Sequence, residues 1–195
     1  MPSEVRRKAL HLLSLIIPLG LLYLGSSTVL QFLVPITAAA ILIEVLRTRS
    51  DHVRSIVEKI FGSMMRPEEL PPVPTPIRLN GATWVLLTAT ILISIFPAAV
   101  AAAAISIGLI GDAAAALVGR KFGRMKIGNS RKTFEGSLAF VVTTLPIIWI
   151  VPDMTLPAGA AGILAGALTE VLDVPINDNL TVPTVAAVVM TLVLS

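Results

Sequence analysis

The chain has 195 residues, 55% of them hydrophobic and only 14% charged, with a mean hydropathy of +0.87; that balance excludes an ordinary soluble domain and makes a bilayer the expected solvent. The net charge of +3 and pI near 9.7 do not describe a nucleic-acid surface, because the cations sit in short loops between apolar runs with no interleaved aromatics for base stacking. Cysteine is absent, which excludes disulfides and thiolate metal sites and leaves oxygen ligands, with a histidine at most, for any metal.

Apolar runs at 9–24, 28–46, 82–96, 97–118, 136–151, 157–172 and 180–194 predict an all-α, polytopic membrane bundle of about seven spans in a single domain, 1–195. The first run follows Arg6, Arg7 and Lys8 and has the form of a secretory signal, but the runs behind it favour an uncleaved first span. Between the second and third runs, apolar side chains recur at helical spacing over 50–66, opposite Arg54, Glu58 and Lys59. This segment is expected to lie as an amphipathic helix in the interface, capped by Ser50 or Asp51. The linker 67–79 follows, with five prolines that forbid a regular helix. Asn80 is placed to cap the third span, with Trp84 as an interfacial anchor. Pro97 separates the third and fourth spans by a tight turn. The small residues of the fourth, Ala101–Ala104 and Ala113–Ala116, imply close helix packing.

All fifteen Lys and Arg residues fall in three places: before the first span, between the second and third, and in the basic loop 119–135 between the fourth and fifth. With seven spans these share one side, which the positive-inside rule makes cytoplasmic, with the amino terminus. Carboxylates gather on the same side. An ionised group in hydrocarbon costs at least about 2.5 kcal/mol unless paired or hydrated, so Asp112, deep in the fourth span, is the leading functional candidate. Glu44 and Glu170 occupy the inner parts of the second and sixth spans, Glu135 opens the fifth, and Asp173 and Asp178 are expected in the loop before the seventh. His11 lies one turn inside the first span. Carboxylates beside cations on one layer suit a magnesium nucleotide, although Asp112 paired with a helix neighbour and loops that only fix topology explain the same residues. Gly119, Gly123 and Gly128 punctuate the basic loop, which lacks a Walker pattern.

Gly111-Asp112, Gly119-Arg120-Lys121-Phe122-Gly123 and Lys132-Thr133-Phe134-Glu135-Gly136-Ser137, with Arg7-Lys8-Ala9-Leu10-His11 before them and Asp178-Asn179-Leu180-Thr181-Val182-Pro183 after, resemble the dolichol kinase, phytol kinase and yeast-type diacylglycerol kinase family. The central block is also similar to phosphatidate cytidylyltransferases, whose carboxyl-terminal signature is missing, since no Lys, Arg or His follows Lys132. The resemblance implies a kinase that transfers phosphate from CTP, with Mg²⁺, to a membrane lipid alcohol: a polyprenol, a phytol-like alcohol or diacylglycerol. It implies Asp112, Glu135 and Asp178 at the metal. Arg7, Lys8, Gly119, Arg120, Gly123, Lys126, Arg131, Lys132, Asp178 and Asn179 would meet the nucleotide, and Asp112, Lys132, Glu135 and His11 would stand closest to the chemistry. A cytidylyltransferase and an ion-coupled transporter are the alternative readings.

Overall fold

The computed structural model describes residues 2–62, 77–128, 132–172 and 176–195. It is all-helical, with no strand among the described residues. The helices are α1 (Pro2–Leu13), α2 (Ile16–Arg47), α3 (Asp51–Phe61), α4 (Gly81–Ile95), α5 (Ala98–Phe122), α6 (Phe134–Thr144), α7 (Ile147–Ile150), α8 (Leu156–Val171) and α9 (Asp178–Leu194). Two helical stretches, Val5–Arg47 and Ala98–Phe122, are long and apolar enough to cross a membrane; α4, α8 and α9 are apolar but shorter than the ~20 residues of a comfortable span.

Local chemistry sets where helices begin. Ser50, Asn80, Thr133, Thr155 and Asn177 each turn a side-chain oxygen onto a backbone N–H of the first turn of α3, α4, α6, α8 and α9 respectively, satisfying a donor that the helix leaves unpaired. Asn80 is therefore the cap expected from sequence, whereas Asp178 is the first residue of α9 rather than a loop residue. Its carboxylate suits the positive end of the helix, and Asn177 takes the cap. The run 136–151 is helical with one interruption: at Leu145-Pro146 the backbone keeps helical angles but proline offers no N–H, and the hydrogen-bonded helix divides into α6 and the single turn α7.

Gly25 breaks the long first stretch at φ +78°. Residues 7–14 and 40–44 line the same cavity, so the chain doubles back at this glycine as a helical hairpin; a straight helix would hold them some 40 Å apart. The central element is α5, which packs against α1, α2, α4, α6, α8 and α9. Its Ala101–Ala104 run is almost completely buried, and this is the close packing that small residues permit. Gly111 shows the tightest fit, with the Phe140 ring of α6 lying where a side chain would be. The outer surface is apolar, with Tyr23, Phe32, Trp149, Leu168 and Leu192 all well exposed.

The helix of the expected interfacial segment runs from Asp51 to Phe61. Val57 is buried against the bundle while Ile56, Ile60 and Phe61 remain exposed. Residues 63–76, which hold the end of that segment and most of the proline-rich linker, lie outside the described residues.

Candidate functional site

Polar side chains collect at one end of the bundle, where α1, α4, α6 and α9 begin and α2, α5 and α8 end. Lys8 of α1 donates to Asp112 of α5, across 104 residues of sequence. His11, one turn further along α1, brings its Nε2 to 3.3 Å from the same carboxylate. Lys8 is buried and the Asp112 side chain is about a quarter exposed (23%), which leaves one side of the carboxylate open to a ligand.

Asp112 faces a cavity of about 470 Å³, within the size range of small-molecule sites. Arg7, Lys8, His11, Glu44, Asn80, Asp178 and Asn179 supply its polar wall, and Leu10, Ile43, Val57, Phe61, Val85 and Leu86 supply an apolar one. Two wall groups are fixed by neighbours. Glu44 accepts hydrogen bonds from Arg47 and, at 2.6 Å, from the Asn80 amide, so the residue that caps α4 also ties it to the end of α2. Asn179 donates to the Gly81 carbonyl at 3.1 Å, joining α9 to the same helix end.

A second network lies alongside. Lys132, just before α6, donates to Glu170 of α8 at 2.7 Å and to Asp178 of α9 at 3.2 Å. Partial burial disfavours the Lys132 ammonium, but the hydrogen bond to Glu170 and the charge of Asp178 outweigh it, and its pKa lies above the ordinary 10.5. Asp178 thus belongs both to this triad and to the cavity wall.

The basic loop stands apart. After α5 the chain forms a short hairpin in which Phe134 N–H donates to the Met125 carbonyl at 2.9 Å and Ile127 N–H to the Lys132 carbonyl at 3.0 Å. Glu135 accepts from the Met125 N–H at 3.2 and 3.3 Å, so its carboxylate pins the hairpin to the start of α6. Gly119 and Gly123 pack against Thr133, where a side chain on Gly123 would also strike the Gly119 carbonyl. Both glycines let the loop fold back onto the helix end. Arg120 and Lys126 are exposed, and neither they nor Gly119, Gly123, Lys132 and Glu135 are among the residues lining the cavity. Arg131 and Asp173 lie outside the described residues.

Of the candidate residues, the fold therefore brings Arg7, Lys8, His11, Asp112, Asp178 and Asn179 to one cavity and sets Lys132 behind Asp178, while Glu135 serves the hairpin. Among the described residues no three acidic or histidine side chains gather closely enough to hold a metal unaided. Asp112 and Asp178 both line the cavity. Glu44, already marked as an inner-layer carboxylate, takes its place in the cavity wall, and Asn80 joins it there. Asn80 was legible only as a cap.

No family model matches the chain, and no solved structure matches it. It is 28% identical, over 142 residues, to an uncharacterized protein of Rickettsia prowazekii (strain Madrid E), a stretch that covers 73% of this chain and 67% of that protein.

Proposed function

We propose that this chain is a multi-pass membrane kinase that transfers the γ-phosphate of CTP to a lipid alcohol at the cytoplasmic face. The observation that carries the reading is the makeup of one cavity, in which three carboxylates (Glu44, Asp112 and Asp178) and the cations Arg7 and Lys8 face an apolar wall. Phosphates and a hard cation fit the first surface, and a lipid chain fits the second. The ordered motifs that resemble lipid-alcohol kinases supply CTP as donor; the cavity's chemistry supplies only a magnesium nucleotide and an amphipathic acceptor.

The apolar outer surface and the two membrane-length stretches favour a bilayer setting. Seven spans follow if α4, α6 with α7, α8 and α9 also cross, each short enough to run with little tilt. Gathering Arg7, Lys8, Arg47, Arg78, Arg120 and Lys132 at one end of the bundle then makes that end cytoplasmic.

On this reading Asp112 and Asp178 hold Mg²⁺, which neutralises phosphate charge when bound. Arg7 and Lys8 take the phosphate oxygens. Lys8 and Lys132 balance the two carboxylates and would be available to phosphate oxygens when a nucleotide binds. In the transfer the alcohol oxygen bonds to the γ-phosphorus, the bond from that phosphorus to the β,γ-bridging oxygen breaks, CDP leaves, and the hydroxyl proton passes to water or a cavity carboxylate.

The test is purified chain with γ-labelled CTP, magnesium and a panel of polyprenol, phytol and diacylglycerol. Label should enter the organic extract and be lost in Asp112→Asn. No labelled lipid from any of the three, in a folded preparation, overturns the proposal. Pyrophosphate release with the α-phosphate retained on lipid would turn it to cytidylyl transfer, and Asp112-dependent flux across proteoliposomes without turnover would turn it to transport.

A further inference from the structure

A second, much smaller cavity, of about 20 Å³, shares His11, Val85 and Asn179 with the larger one and is walled further by Thr88 of α4, Gly108 of α5 and Pro183 of α9. A single water molecule needs on the order of 10–15 Å³ and about two to four polar partners. Three groups with unmet hydrogen-bonding capacity belong to this wall. The Thr88 hydroxyl is buried and has no partner among the described residues. Its neighbours in kind behave differently: Thr90, Thr144, Thr169 and Thr191 each donate to a carbonyl one turn back in their own helix. His11 Nε2 is also sealed from solvent, and although it stands 3.3 Å from the Asp112 carboxylate it makes no hydrogen bond among the described residues. The third group is a backbone carbonyl. Pro183 lies inside α9, and having no N–H it leaves the Asn179 carbonyl without the donor that a regular helix supplies.

We propose that this cavity binds one structural water, which joins the Thr88 hydroxyl, His11 Nε2 and the Asn179 carbonyl and so holds the His11 ring beside Asp112. The chemistry of water matches the set: the carbonyl takes one hydrogen, while the hydroxyl and the imidazole nitrogen can each donate or accept. An apolar occupant would leave all three groups unpaired, each at a cost in free energy. Proline is tolerated inside a membrane helix where water or a side chain satisfies the backbone group it frees, and this cavity offers both. The walls cannot close over the space, because Gly108 already brings α5 against the proline: Pro183 ring atoms lie 3.2 and 3.3 Å from where a Gly108 side chain would begin. Thr88 is then a positioning residue for His11, acting through the water. The site does not depend on which reaction the larger cavity performs.

The protein has two histidines, and His52 is exposed on α3, so His52→Gln leaves His11 as the single imidazole signal. The full chain in this background, labelled with ¹⁵N-histidine and held in lipid nanodiscs, should show a water cross-peak to the His11 ring. That cross-peak should survive Thr88→Ser and be lost in Thr88→Val, with a change in the imidazole ¹⁵N shifts. Stability separates a wet cavity from a dry one by sign. In a dry cavity Thr88→Val deletes an unsatisfied buried hydroxyl and raises the folding equilibrium about five- to hundredfold; with water bound it removes one of the water's partners and lowers it about two- to tenfold. A water cross-peak that is absent, or indifferent to Thr88→Val, overturns the proposal, and so does a Thr88→Val chain more stable than its parent.

Discussion

A single methyl group added at Gly111 tests the packing that places Asp112. In Gly111→Ala the new Cβ would lie 2.3 Å from one Phe140 ring carbon and 2.5 Å from two others. Ordinary carbon contacts begin near ~3.5 Å, so the ring would have to retreat by roughly 1.2 Å. It has little room, because Phe140 is fully buried and its Cζ, one of those same three carbons, already comes within 3.4 Å of the Cβ position at Gly166. Overpacking of this kind costs about 1–3 kcal/mol, a five- to hundredfold or greater loss in the folding equilibrium. Gly20→Ala is the matched control. Its new Cβ meets nothing nearer than a Val29 methyl at 3.8 Å, and alanine should gain about 0.5–1 kcal/mol in a helix. Because the helix gain is common to both variants, unfolding in bicelles or by detergent titration should separate them by about 1–3 kcal/mol. Gly111→Ala with Phe140→Leu should recover part of the loss, giving a coupling of about 0.5–3 kcal/mol. If Gly111→Ala proves as stable as Gly20→Ala, α5 and α6 do not meet as described and the account of the Asp112 site fails with them.

Lys8→Met removes the cation hydrogen-bonded to a largely buried carboxylate, leaving it to His11 and the charge of Arg7, and should cost up to about 3–5 kcal/mol; Lys8→Met with Asp112→Asn should be more stable than Lys8→Met alone, as thermal unfolding will report. Asn80→Ala removes both a helix cap, worth about 1 kcal/mol, and a charge-assisted bond to Glu44, worth roughly 1.5–3 kcal/mol. Hydrogen exchange at the first amides of α4 should accelerate, and Asn80→Asp should not restore the Glu44 contact because it sets two carboxylates together. Lys132, with its pKa raised above 10.5, contributes its ion-pair stability fully at every pH below the unfolded lysine value and loses it only as pH climbs through the higher folded value. A denaturation series should therefore show an alkaline step that vanishes in Lys132→Met, with no step from this group near neutrality.

Much of the helical plan is written in short stretches of sequence. Apolar runs locate the helices because transfer from water to hydrocarbon is a sum over neighbouring side chains. Caps are equally local: Ser50 and Asn80 announce the starts of α3 and α4 by an oxygen reaching one turn along the same chain. Where local signals competed, the reading slipped. The apolar pattern of 136–151 marked the helical stretch but not the break in its hydrogen bonds at Pro146, and the polar string before α9 concealed that Asp178 already belongs to the helix.

The site's pairings have a different origin. The carboxylates set in apolar runs were visible as costly groups in need of partners, but nothing near Asp112 in sequence names Lys8, nor anything near Lys132 the pair of Glu170 and Asp178. Those partners are chosen by which helices touch. That in turn rests on shape, on Gly111 receiving Phe140 and on the Ala101–Ala104 face admitting its neighbours, and shape complementarity between distant segments leaves no periodic mark in either one. Glu135 marks the contrast most sharply: its charge and its place at the start of a helix could be read directly, yet only the folding back of the hairpin turns its carboxylate to the Met125 N–H and away from the cavity.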